Sequence, residues 1–208
     1  ALMVGFNRRF SPFTRVVADY FGQRASPLVM HYRINAGKIP RESWVQNAEE
    51  GGGRIIGECC HFIDLASFLA RSVPQEVQAL SVGTPNHTLV EEDNVSFSIR
   101  FKDGSLANIV YVAVGSPDLP KEYVELFADQ SCAILKDFKE AECFGLRGKK
   151  RLKGRQDKGF EEELGAFVHA LRTGGSSPIA FEVLAAVTRC SFAVQEALRT
   201  RRTVPVAS

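Results

Sequence analysis

The sequence predicts an α+β fold: a large, mostly antiparallel sheet with helices packed on one face and an oligomer interface on the other. Three observations carry this prediction. Strand-like runs joined by tight turns fill the chain from Glu76 to Phe144, and consecutive hairpins imply antiparallel pairing. Helix-period apolar segments stand before and after that block,. The stretch Ala107-Asn108-Ile109-Val110-Tyr111-Val112-Ala113-Val114 is apolar on both faces. The sheet should therefore be covered on both sides, and a partner subunit is the simplest cover for the side its own helices leave open.

The bulk numbers fit this class. The chain has 208 residues, 45% of them hydrophobic and 24% charged, as in an ordinary soluble domain. A formal net charge of +2 demands neither nucleic acid nor membrane, and no apolar run reaches the length of a spanning helix. The five cysteines are odd in number and form no Cys-x-x-Cys pair. That disfavours a disulfide framework or a zinc site and suits a reducing, cytoplasmic setting.

In order along the chain, residues 1–6 read as a buried strand with nothing before it, as though the chain were part of a longer protein. Asn7, Arg8 and Arg9 then form a strand-to-helix turn, a common place for anion or cofactor contacts, although a solvated basic turn would look the same. Ser11 can cap a helix that Pro12 opens, with Phe13, Val16, Val17, Tyr20 and Phe21 at helical spacing and Gly22 at its end,. Leu28 to Asn35 is a strand whose one face carries Val29, His31, Arg33 and Asn35,. His, Arg and Asn together can bind a hydroxylated or charged ligand, or simply be an exposed sheet face. Residues 37–50 are irregular and hold the single tryptophan, Trp44, just ahead of Gly51-Gly52-Gly53. A lone tryptophan is more often core than ligand platform.

The glycines lead into a helix that runs to about Ala70, with Ile56, Cys59, Cys60, Ile63, Ala66 and Leu69 along its apolar face,. Arg54, Glu58, His61 and Asp64 fall on a neighbouring stripe, because residues three or four apart stack on a helix. A histidine one turn from a carboxylate on a largely buried helix suits proton transfer. A core helix whose Glu58–His61 pair merely satisfies itself has the same spacing.

Strands follow at 76–82, 94–101 and 106–114, the last two joined by the Asp103-Gly104 turn,. A second hairpin, 123–128 with 132–138, turns at Asp129-Gln130-Ser131, and 141–144 adds a short strand. The basic residues of 147–158 have no interleaved aromatics and are broken by glycine, which reads as a solvated loop. Phe160, Leu164, Phe167, Val168 and Leu171 form one face of a helix with Glu161, Glu162 and Glu163 in its first turn, and a last helix runs from Phe181 to about Arg199,. His169 reads as a surface or packing residue. No glycine-rich phosphate loop is present.

These signposts, taken together, resemble a known family. Val4-Gly5-Phe6-Asn7-Arg8-Arg9-Phe10-Ser11-Pro12 looks like the junction of Gfo/Idh/MocA-type oxidoreductases, where the nucleotide-binding domain hands over to the second domain. Trp44 before the glycines, His61-Phe62-Ile63-Asp64-Leu65, the Asp103-Gly104 hairpin and Phe167–Gly175 follow in the family's order. The resemblance implies that residues 1–208 are the C-terminal domain of a two-domain enzyme, with 1–10 the remnant of the junction. The complete protein would bind NAD or NADP and act on a sugar, sugar-nucleotide or polyol hydroxyl by hydride transfer. This chain, without the dinucleotide-binding domain, would bind no cofactor itself.

The resemblance also implies site residues. His61 matches the family's proton-transfer histidine. Many members carry an aspartate four residues before it, where this sequence has Gly57, so Glu58 is the carboxylate expected to orient or charge-couple to His61. Arg33 and Asn35 are expected substrate contacts, and Asn7, Arg8 and Trp44 contacts at the cofactor edge. No metal site is expected, and the partners are the missing domain, a small sugar and further copies of the chain. The competing expectation, raised by Gly57, is a non-catalytic assembly or ligand-binding module derived from the family.

Overall fold

Val29–Asn35 alternates as far as Ile34, with Met30, Tyr32 and Ile34 buried and Val29 and His31 exposed. It is strand β1 and lies near the middle of one sheet in a computed structural model that describes residues 1–47, 49–83 and 90–207. The other strands are β2 (Pro74–Ser81), β3 (Val95–Phe101), β4 (Leu106–Val112), β5 (Glu122–Ala128), β6 (Ser131–Lys136), β7 (Glu140–Phe144), β8 (Lys150–Lys153) and β9 (Val204–Pro205). Their order is β8-β7-β6-β5-β1-β4-β3-β2-β9. All pairings are antiparallel except β1 with β4, which run parallel with Tyr32 opposite Ile109.

Helices α1 (Pro12–Tyr20), α2 (Cys60–Ala70), α3 (Phe160–Thr173) and α4 (Phe181–Thr200) lie on one face of this sheet. Ser11 caps α1 by accepting from the Phe13 N–H at 3.3 Å, with Pro12 in the first helical position,. Helix α2 is the buried spine, with Phe62, Ile63, Leu65, Ala66, Leu69 and Ala70 all in the core beneath the sheet. Helix α4 packs on α2 and β2, and α1 on β6, β7 and β8. The opposite sheet face carries Val29, His31, Ser96, Val110 and Phe127, a mixed surface that no helix among the described residues covers. No helix among the described residues is long and apolar enough to cross a membrane.

Two expectations are corrected, for residues 1–6 and for the basic segment, and two placements could not be read from sequence. Residues 1–6 form no strand; Asn7–Phe10 is a 3-10 turn, and Leu2 and Val4 are exposed. The basic segment is not all loop, since Lys150–Lys153 adds to β7 as the edge strand β8, where lysine and arginine discourage pairing with another chain,. Trp44, which the sequence left between core and ligand platform, is 66% exposed. The apolar row of α3 points outward: of its fourteen residues only Glu163 and Ala170 are buried.

Candidate active site

The approach to α2 is set by glycine. The N–H groups of Gly51 and Gly52 both donate to the Asn47 carbonyl at 2.9 Å. A Cβ at Gly51 would sit 2.5 Å from the Val45 carbonyl oxygen and 2.6 Å from that of Trp44, so only glycine fits. Gly52 and Gly53 take φ of +68° and +74°, a region that costs other residues energy. Ile55–Cys59 then forms a π-helical turn before regular α-helix begins at Cys60. Such wide turns are rare and concentrate at functional sites. Here the widening points Ile55 and Cys59 into the core and leaves Gly57 exposed.

His61 sits just past that turn. Its ring meets Phe6 edge to face, centroids 5.7 Å apart. Nδ1 is enclosed without a hydrogen-bond partner. Burial, reinforced by the nearby charge of Arg8, pulls the imidazole down to a pKa of about 4 against the opposing pull of Glu58 and Glu122. The ring is therefore neutral at pH 7, with one nitrogen a donor and the other an acceptor.

Two carboxylates flank it, each held by cations and a tyrosine. Glu58 accepts from Lys121 Nζ at 2.5 Å, Arg54 Nη2 at 2.9 Å and the Tyr111 hydroxyl. Glu122 accepts from Arg8 at 2.8 and 2.9 Å, from Lys158 Nζ at 2.7 Å and from the Tyr32 hydroxyl. Burial alone would push both carboxyls up, but these donors outweigh it and hold each at about 2,. Phe62 separates the two clusters: its ring meets Tyr32 edge to face with centroids 5.3 Å apart, lies tilted against Tyr111 at 6.0 Å and carries the Arg8 guanidinium at 4.8 Å. Arg54 likewise lies 4.9 Å over Tyr111 and reaches toward Asp93 at 3.9 Å. One turn beyond His61, Asp64 is fully buried and pairs with Arg9; burial pushes it up to about 6 even against that partner.

The residues expected from the sequence are thus brought together in part. His61, Glu58 and Arg8 share one region, but Glu58 turns to Lys121, Tyr111 and Arg54, and acts on His61 through its charge. Asn7 is buried, its amide donating to the Lys158 carbonyl at 2.8 Å. Trp44 stands in the exposed loop before the glycines. Arg33 lies across the Tyr123 ring and donates to the Pro120 and Lys121 carbonyls, and Asn35 donates to those of Ser116 and Leu119. Both therefore brace the 113–121 connection, and the Asn35 Oδ1 remains enclosed without a partner.

Sequence reasoning passed over Lys121, Glu122, Lys158, Tyr32 and Tyr111. One signal was available: Glu122 has the same strand parity as the buried Val124 and Leu126, and a charge on an inward position announces a paired partner.

The model of the GFO/IDH/MocA C-terminal domain matches residues 24–127, from just before β1 to the penultimate residue of β5. No curated protein sequence matches the chain. Among solved structures it is similar to an oxidoreductase domain protein from Kribbella flavida, with 17% identity and a TM-score of 0.80 over 99% of this chain and 66% of that one. A levoglucosan dehydrogenase in complex with NADH and levoglucosan gives 18%, 0.80, 99% and 66%. An oxidoreductase from Agrobacterium radiobacter in complex with NAD+, L-tartaric acid and magnesium gives 15%, 0.76, 99% and 65%. The chain thus spans slightly less than two thirds of the length of these structures, and at such identities they share its fold.

Proposed function

The chain belongs to the GFO/IDH/MocA C-terminal domain family, and on that footing we propose that it is the substrate-binding and oligomerisation half of an NAD(P)-dependent oxidoreductase acting on a sugar, sugar-nucleotide or polyol hydroxyl. The observation that carries this reading is the neutral His61, set by a π-helical turn between two carboxylates whose charges are fixed by Lys121 and Arg54 on one side and Arg8 and Lys158 on the other. A levoglucosan dehydrogenase of the same fold binds NADH and a sugar derivative, which supports the substrate class.

Of the three residues expected at the cofactor edge, two are engaged within the chain. The donors of Asn7 and Arg8 are occupied by the Lys158 carbonyl and Glu122, and only Trp44 is open to a cofactor edge. The nicotinamide, held outside these residues, would supply the hydride acceptor or donor. The chain's own part is the proton. A neutral imidazole can take it from a substrate hydroxyl, and with Nδ1 enclosed, Nε2 is the ring nitrogen through which it passes,. Glu58 holds part of the counter-charge, so the imidazolium that forms is not left alone in a partly buried place,. Arg33 and Asn35 keep the 113–121 connection in shape beside the substrate. The uncovered sheet face is the surface for further copies of the chain, and the setting is the reducing cytoplasm.

The test is the complete polypeptide with His61→Ala. Turnover should fall at least about a hundredfold, the scale of acid–base catalysis; retained turnover would remove His61 from the mechanism. Gly57 keeps a second reading in play, a non-catalytic ligand-binding or assembly module. It is separated from the first by whether the complete polypeptide oxidises any polyol at all.

A further inference from the structure

Of the four cations that hold Glu58 and Glu122, Lys121 has room for a further partner. Arg54 is buried and spends its two Nη atoms on the Gly37 carbonyl and Glu58. Arg8 is buried too and donates twice to Glu122. Lys158 donates to the same carboxylate from a side chain only 16% exposed. The Lys121 side chain is 36% exposed. An ammonium has three donors, and among the described residues only Glu58 accepts from this one. Its starting point is fixed by β1, because the Lys121 carbonyl accepts from the Asn35 N–H at 2.7 Å and from Arg33 Nη1 at 3.3 Å.

The charges of these clusters do not balance. Among the described residues Arg54 and Lys121 face Glu58, and Arg8 and Lys158 face Glu122. Asp93, 3.9 Å from Arg54, offsets one of the two surplus cations. One positive charge is left over. Neither carboxylate is short of donors, since Tyr111 also donates to Glu58 and Tyr32 to Glu122. At His61 burial, then Arg8 and Lys121, work against protonation, and the pull of Glu58 and Glu122 leaves the ring at about 4 all the same. A general base works best with a pKa near the working pH, so the empty site holds a weak one. An anion set against Lys121 cancels the surplus and makes the imidazolium easier to form.

We propose that Lys121 is a substrate contact, and that the substrate carries an anionic group, a carboxylate or a phosphate, which pairs with the Lys121 ammonium while a hydroxyl of the same molecule meets His61. The inference rests on the oxidoreductase reading above and narrows its substrate to hydroxylated acids and phosphorylated sugars. Glu58 aims the ammonium, and the exposed part of the side chain is left for the ligand. The anion then acts twice. It selects the substrate, and it strengthens the base only when a substrate is there to use it. A neutral polyol does neither.

The test is an NMR titration of the complete polypeptide, labelled at histidine, alone and with D-glucuronate, D-glucose 6-phosphate or D-glucose. His61→Asn assigns the signal. At least one of the two anions should raise the His61 midpoint by about one pH unit or more, and glucose should leave it in place. Which anion does so tells a carboxylate from a phosphate. Lys121→Met should remove the rise, and Lys121→Arg should keep it. In turnover with NAD or NADP, kcat/KM for that anion should exceed that for glucose at least about tenfold, and Lys121→Met should bring the two together. A Lys121 that only supports the fold would lower both substrates alike and leave their ratio unchanged, which would overturn the inference. So would a His61 midpoint that neither anion moves. A raised midpoint in a polypeptide that oxidises no polyol keeps the anion site and discards the dehydrogenase reading. Glucose turned over in preference to both anions discards the anion site and keeps that reading.

Discussion

Lys121 Nζ lies 2.5 Å from Glu58 Oε1, and that contact ties the entry of β5 to the π-helical turn that presents His61. The two residues are 63 apart in sequence. Replacing Lys121 by Met should raise the Glu58 carboxyl from about 2 toward its ordinary range, since the first-ranked of the donors that hold it down is lost. NMR titration of the Glu58 side chain reads this directly; an unchanged midpoint would mean that Tyr111 and Arg54 suffice.

The depressed imidazole makes stability depend on pH in a defined window. Folded His61 titrates at about 4 and an ordinary histidine at 6.5, so the unfolded chain binds the proton more readily. Stability is complete above pH 6.5 and declines as pH falls to about 4, by at most roughly 3 kcal/mol for a shift of this size. Melting curves of the wild type and His61→Asn should converge in slope above pH 7 and diverge between pH 6.5 and 4, with the wild type the steeper.

Glu122 is the counter-charge of the buried Arg8 and the partly buried Lys158. Glu122→Ala leaves the buried Arg8 without its counter-charge and should cost about 3–5 kcal/mol in denaturant unfolding. Below the ordinary carboxylate range the wild type should lose the same support, because a carboxyl held at about 2 contributes fully above its unfolded value near 4.5 and progressively less as pH falls toward 2,.

Gly51→Ala should be poorly tolerated although the residue is only half-buried. The added methyl meets two backbone carbonyls at 2.5 and 2.6 Å, and backbone cannot step aside as a flexible side chain can. A cost of about 1–3 kcal/mol is expected in thermal unfolding, with a loss of turnover beyond it as the π turn shifts.

Much of this architecture could be read from residue order. The alternation of β1, the cap at Ser11, the Asp103-Gly104 turn and the buried face of α2 all depend on neighbours within a few positions, and all appear where the pattern puts them. What local pattern missed depends on distance or on broken periodicity. The π turn takes an extra residue into the turn ahead of Cys60, so Glu58 and His61 do not pair as 3.6-residue spacing suggests. Arg8 and Glu122 are 114 residues apart, and nothing near either one names its partner. The charge-rich β8 looks like loop because an edge strand needs only one neighbour and no apolar side. The stripe of α3 is visible in the sequence, but its direction is set by where the 3-10 turn Asn7–Phe10 seats the helix and not by the stripe itself.

The placement of β1 bears on how the chain is made. It pairs only with β4, which begins at Leu106, and with β5, which begins at Glu122. At about 5–20 residues per second on a ribosome, Val29–Asn35 emerges several seconds before either neighbour exists. Its apolar side must be sheltered in the meantime, by early helix or by chaperone, and synonymous slowing between residues 36 and 105 would lengthen that wait.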